Sequence, residues 1–100
     1  MSTIKVKLID QENRVNFCLC DDPVALAREL KDEYITSITL ESDKKGVEAA
    51  EEVYALSNYP TLQSKKDELY GTERGVSVGD IVSVDDDEFL CWTVGWFQLN

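Results

Sequence analysis

Residues 3–9 alternate polar and apolar side chains with period two as far as Leu8 (Thr3, Ile4, Lys5, Val6, Lys7, Leu8, Ile9), and this pattern constrains the fold more than any other feature of the 100-residue chain. Such a segment is a strand with one buried face, because successive side chains of a strand point to opposite sides. A strand needs partners, so a sheet is required. Asp10 to Asn13 interrupt the alternation and it resumes through Arg14, Val15, Asn16, Phe17, Cys18, Leu19 and Cys20. The spacing therefore predicts a β-hairpin whose buried face carries Ile4, Val6, Leu8, Val15, Phe17 and Leu19.

Asp22-Pro23 signals a helix start, since an aspartate caps free amides and proline fits the first helical position. Leu26, Ala27, Leu30 and Tyr34 follow at helical spacing, which predicts a helix over 23–33 packed on the hairpin. A β-branched, alternating stretch over 34–41 reads as a third strand. Between Gly46 and Ser57 the residues Val47, Ala50, Val53 and Tyr54 share one helical face, while Glu48, Glu51 and Glu52 project from the other. Pro60 stops this helix, and a further short helical turn is expected over 63–70, ending at Gly71.

The last third returns to strands. Gly79-Asp80 marks a turn or bulge ahead of Ile81-Val82-Ser83-Val84, and Asp85-Asp86-Asp87-Glu88 reads as a hairpin loop before a strand from Phe89 to Val94. Leu90, Trp92, Val94 and Trp96 are expected on one face, with the tryptophans as core or interface anchors. The resulting expectation is a single α+β domain over residues 1–100. Its antiparallel or mixed sheet has about five strands and two to three helices in the order ββαβα(α)ββ, with the helices on one side. At 100 residues and 43% apolar content, one core suffices without disulfides.

Charge narrows the partners. Twenty acidic residues face ten basic ones, giving a net charge of −10, and the imbalance is uneven. Residues 1–50 hold 10 acids and 7 bases; residues 51–100 hold 10 and 3. A negative domain with scattered lysines repels the phosphate backbone, so direct nucleic-acid binding is not expected, and anionic membranes are disfavoured for the same reason. No apolar run approaches the roughly 18–20 residues that span a bilayer. The N-terminus alternates like a strand and has no secretory h-region, and three cysteines cannot all pair; both point to a reducing cytoplasm.

Chemical equipment is sparse. The chain has no histidine, the commonest general base and the usual partner of a nucleophilic serine or cysteine. Cys91 sits between Leu90 and Trp92, an apolar setting that keeps a thiol protonated. Cys18-x-Cys20 with Cys91 offers three zinc ligands of the four required. The run Asp85–Glu88 lacks the alternating oxygens and central glycine of a calcium loop. Asp80, Tyr70 and Arg74 have no spacing that makes them an active site. The expectation is a non-enzymatic protein with no metal and no cofactor.

Carboxylates three or four apart on a helix have Cβ atoms roughly 5–6 Å apart, comparable to neighbouring phosphates, so an acidic helix with an acidic loop can imitate a nucleic-acid backbone. Glu48, Glu51, Glu52, Asp85, Asp86, Asp87 and Glu88 are accordingly the candidate contacts to a basic partner protein. The competing reading is a structural or adaptor module that self-associates through exposed C-terminal aromatics, Trp96, Phe97 or Tyr59, as a homodimer.

Three stretches carry a resemblance: Ala50 to Pro60 (AEEVYALSNYP), Arg74 to Val82 (RGVSVGDIV) and Gly95 to Leu99 (GWFQL). In order and spacing they resemble a small domain family of phages, plasmids and Firmicute genomes, similar to the YodL-like domain and marked by a Ser-Val-Gly-Asp signature. The chain departs from the pattern at Gly75, where serine is favoured. The family has no established activity, so the resemblance implies only a tie to mobile elements. Together with the charge it suggests an accessory factor in the host cytoplasm that inhibits a host nucleic-acid enzyme or defence complex, in the manner of anti-restriction or anti-CRISPR proteins. Ser77-Val78-Gly79-Asp80 has a structural account of its own: the glycine permits a tight turn and the aspartate bonds nearby amides.

Overall fold

A computed structural model describes residues 2–58, 76–93 and 95–99. Its elements are β1 (Ser2–Leu8), α1 (Gln11–Leu19), α2 (Pro23–Glu29), a 3-10 turn (Lys31–Glu33), β2 (Ile35–Ser42), α3 (Gly46–Asn58), β3 (Ile81–Val84), β4 (Asp87–Cys91) and β5 (Trp96–Gln98). Among the described residues the strands form an antiparallel sheet in the order β2-β1-β3-β4-β5. The α+β class is as the alternation requires.

The second strand of the expected hairpin is instead helix α1. Asp10 caps it, its side chain accepting the N–H of Asn13 at 2.7 Å. The physical reason lies in pairing. β1 is bonded to β2 along one edge and to β3 along the other, so no ladder position remains for residues 14–20. On a helix only Phe17 of the alternating set is buried; Val15 and Leu19 are 50% and 79% exposed. The expected helix over 23–33 divides into α2, capped by Asp22, and the 3-10 turn. Asp87 and Glu88 belong to β4, which leaves Asp85-Asp86 as the hairpin turn, and the strand expected over 89–94 stops at Cys91, with a separate strand β5 following.

Helices cover both sides of the sheet rather than one. Ile81 and Leu90 join Ile9, Phe17, Ala27 and Leu99 in one apolar cluster, whereas Val82, Val84, Phe89 and Cys91 join Ile4, Val6, Ala49, Ala50 and Val53 in another. Alternate residues of β3 and β4 thus enter opposite clusters, one roofed by α3 and the other by α1 and α2. Double coverage explains why all four residues of β3 are buried. α3 runs as expected, but Ala49 and not Val47 is buried, and Val47 is 41% exposed. Trp96 packs with the α3 cluster and Trp92 with the other, so the two tryptophans do not share a face. The expected helical turn over 63–70 lies outside the described residues, as do Tyr59, Tyr70, Arg74, Gly75 and Val94.

No helix among the described residues is long and apolar enough to cross a membrane.

Candidate functional site

The seven candidate carboxylates and Trp96 separate into distinct environments. Asp85 is fixed first: its backbone N–H donates to Thr3 O at 2.8 Å, and its Oδ1 accepts the N–H of Thr3 at 2.9 Å. It holds a positive φ of 54°, a conformation aspartate tolerates better than most residues. Asp86 and Asp87 follow, both exposed. Ser2 pairs with Ser42, so β2 finishes at this same end of the sheet, and α3 starts shortly after it. Glu48, in the first turn of α3, therefore belongs to the same end of the molecule as the Asp85–Asp87 turn.

The remaining acids turn elsewhere. Glu88 forms an ion pair with Lys7 at 2.9 Å, diagonally across β3. Glu52 accepts the hydroxyl of Ser42 at 2.9 Å and so faces β2. Glu51, one residue earlier, faces the opposite edge and lines an open groove of about 430 Å³ between α3 and the β4–β5 connection. Among the described residues Tyr54, Ala55, Cys91, Trp92, Thr93, Gly95 and Trp96 also line it. A helical step of 100° sends neighbouring side chains in different directions, so Glu51 and Glu52 cannot share a row.

Tyr54 and Trp96 meet edge to face in this groove, with ring centroids 6.3 Å apart and planes at 89°. Trp96 arrives there because it pairs with Cys91 across the β4–β5 ladder, and the connection is closed by Trp92 N–H donating to Gly95 O at 3.2 Å, with Gly95 at φ 77°. Glu51 and Tyr54 are three apart on α3 and hence adjacent on its surface. The groove thus joins two residues that the sequence marks as candidate contacts, Glu51 and Trp96, with one that its periodicity marks only as core, Tyr54. The i, i+3 acid–aromatic pair is visible in the sequence; the partner strand that makes it a groove is not.

The signature turn has a structural role. Asp80 is fully buried; its Oδ1 accepts the N–H of Ile9 at 2.9 Å and its Oδ2 that of Ser77 at 2.8 Å. The N–H of Asp80 donates to Ser77 O at 3.0 Å, closing a turn whose third residue, Gly79, has the positive φ (94°) that a type II turn needs. Tyr34 donates its hydroxyl to Gly79 O, and the Arg14 guanidinium lies 4.0 Å from Asp80. Burial, and secondarily the Asp80 charge, push the Tyr34 hydroxyl pKa up and the Cys91 thiol to about 12.

Cys91 is therefore a protonated, poorly nucleophilic thiol. The sheet separates it from the other two cysteines: it packs with the α3 cluster, Cys20 packs with the opposite cluster, and Cys18 is exposed on α1. Among the described residues no three potential metal ligands converge. Comparison with protein-family models, curated proteins and solved structures finds no match at the level that would show kinship.

Proposed function

We propose that this is a non-enzymatic binding protein that captures a basic, nucleic-acid-binding host protein through its acidic surface, as an accessory inhibitor carried by a phage or mobile element. The observation that carries this reading is the placement of Asp85, Asp86, Asp87 and Glu48 toward one end of the sheet, where together with Asp43 they outnumber the exposed Lys44 and Lys45, on a chain of net charge −10. The bonds between Thr3 and Asp85 anchor the turn, so the charges are presented from a rigid base rather than from a mobile tail. Fixed charges on a rigid base are what electrostatic steering toward a basic groove requires. The likeness to mobile-element domains and the cytoplasmic setting belong to the same reading.

The test is capture from host lysate followed by salt elution. A basic nucleic-acid-binding protein should be retained at low salt, be released as salt rises, and be lost when Glu48→Gln, Asp86→Asn and Asp87→Asn are combined. Asp85 is left intact there because it holds the turn. Retention that ignores both salt and these changes overturns the proposal. It would favour a second reading, self-association through β5, an edge strand among the described residues, where Phe97 is 39% exposed. Under that reading Phe97→Lys or Trp96→Ala lowers the mass measured in solution.

A further inference from the structure

We infer that the Glu51–Tyr54–Trp96 groove receives an arginine side chain of the partner protein; this rests on the binding role proposed above and assigns it a second, chemically distinct contact. Three observations carry it. The groove is open, at about 430 Å³, and the rings of Tyr54 and Trp96 wall it, while Trp92, which also lines it, packs its ring against Phe17 and Phe97. Among the described residues, Glu51 is its one lining carboxylate and is exposed, and no lysine or arginine lines it. The Tyr54 and Trp96 rings stand perpendicular, so the two make a corner with walls in two directions rather than a flat stack.

The chemistry of the occupant follows from these parts. An aromatic face attracts a cation through its quadrupole, most strongly for tryptophan, and a carboxylate at the rim supplies the counter-charge. A neutral apolar side chain would use the rings but gain nothing from the exposed Glu51 carboxylate, whereas a cation gains from both. A guanidinium suits both: its planar, weakly hydrated faces stack on rings while its edge donates paired hydrogen bonds to a carboxylate. An ammonium is more strongly hydrated and lacks the stacking face, so lysine is the weaker occupant. The occupant comes from the same class of partner as the acidic end, a basic protein. Part of its recognition is stacking, which salt does not screen, so it should weaken less with salt than the long-range steering by the acidic end does.

The experiment uses the full chain and the tripeptide acetyl-Gly-Arg-Gly-amide, followed through the indole N–H resonances of Trp92 and Trp96. The expected result is saturable shifts centred on Trp96, several-fold weaker binding with the lysine peptide, and about tenfold weaker binding with the isosteric, uncharged citrulline peptide. Glu51→Gln, a change at an exposed position that leaves the packing of α3 intact, should weaken the arginine peptide by about the same factor, whereas the Glu48, Asp86 and Asp87 changes should leave it unaltered. Equal binding of the arginine and citrulline peptides, indifference to Glu51→Gln, or absence of a saturable shift each overturns the inference. These outcomes are independent of the lysate experiment: an unaltered chain that binds the peptide but captures no basic protein in a salt-sensitive way refutes the acidic-end reading, and salt-sensitive capture without peptide binding refutes the groove.

Discussion

The buried carboxylate of Asp80 accepts the backbone N–H of Ile9 at 2.9 Å, across 71 positions of sequence. It thereby joins the end of β1 to the turn that starts β3, at the point where the chain leaves the sheet for α1. Its second oxygen holds Ser77, and Arg14 of α1 lies beside it with a side chain only 20% exposed. One acidic side chain thus ties together three segments around the apolar cluster roofed by α1 and α2.

Asp80→Asn preserves the shape and removes the charge. The amide nitrogen then confronts one of two backbone donors, and the largely buried Arg14 guanidinium loses its counter-charge. A loss of about 2–4 kcal/mol is expected, read as a lower denaturant midpoint at unchanged slope. A loss under ~0.5 kcal/mol would mean that the turn is held by other contacts.

Gly79→Ala should destabilise by about 1–3 kcal/mol in the same assay, because φ is 94° and a Cβ would meet the Phe17 ring at 3.1 Å. Phe17→Leu makes room at its own cost in packing, so the loss that Gly79→Ala adds on top of Phe17→Leu should be smaller than its loss in the unaltered chain by the steric part only. The backbone part remains, since leucine at position 17 does nothing for an alanine at positive φ.

Stability should fall on the alkaline side. Cys91 and Tyr34 both hold their protons more tightly in the folded chain than in the unfolded one, where they ionise at about pH 9 and 10. The folded state keeps the full benefit below that range and loses it as pH rises through about 9 toward the Cys91 value of about 12. Unfolding midpoints measured between about pH 8 and pH 11 should decline, and Tyr34→Phe with Cys91→Ala should flatten the decline while lowering the starting value. Alkylation near neutral pH should reach the exposed Cys18 first and spare Cys91 until the protein is denatured.

The helix at 11–19 makes opposite predictions from a strand there. Leu19→Lys should change stability by no more than about 0.5 kcal/mol, since the side chain is exposed, whereas Phe17→Ala should cost about 3–5 kcal/mol. In a hairpin, Leu19 and Phe17 would face the same core and both changes would be severe. Comparable losses at the two positions would restore the strand.

Much of the architecture is written locally. The alternation at 3–9, the Asp22-Pro23 start of α2, the β-branched run that becomes β2 and the apolar face of α3 each follow from side-chain periodicity and caps within a few residues. The Ser77–Asp80 turn is legible for the same reason, because glycine at a positive φ and an aspartate bonding an amide three residues back are local events. Arg14–Cys20 misleads because alternation over seven residues fits a strand and leaves a helix unexcluded. Strand pairing decides between the two, and β1 already has neighbours on both edges.

What the sequence determined alone is the α+β class, the negative charge and the composition that withholds histidine; these depend on local pattern and on counting. What only the tertiary structure decided is which acids stand together and where the aromatics meet. Glu51 and Glu52 are neighbours in the chain, yet one lines the groove beside Trp96 and the other accepts a hydrogen bond from Ser42, near opposite edges of the sheet. Strand order and helix phase set those directions, and both arise from contacts between residues far apart in sequence, which periodicity within a short window does not encode.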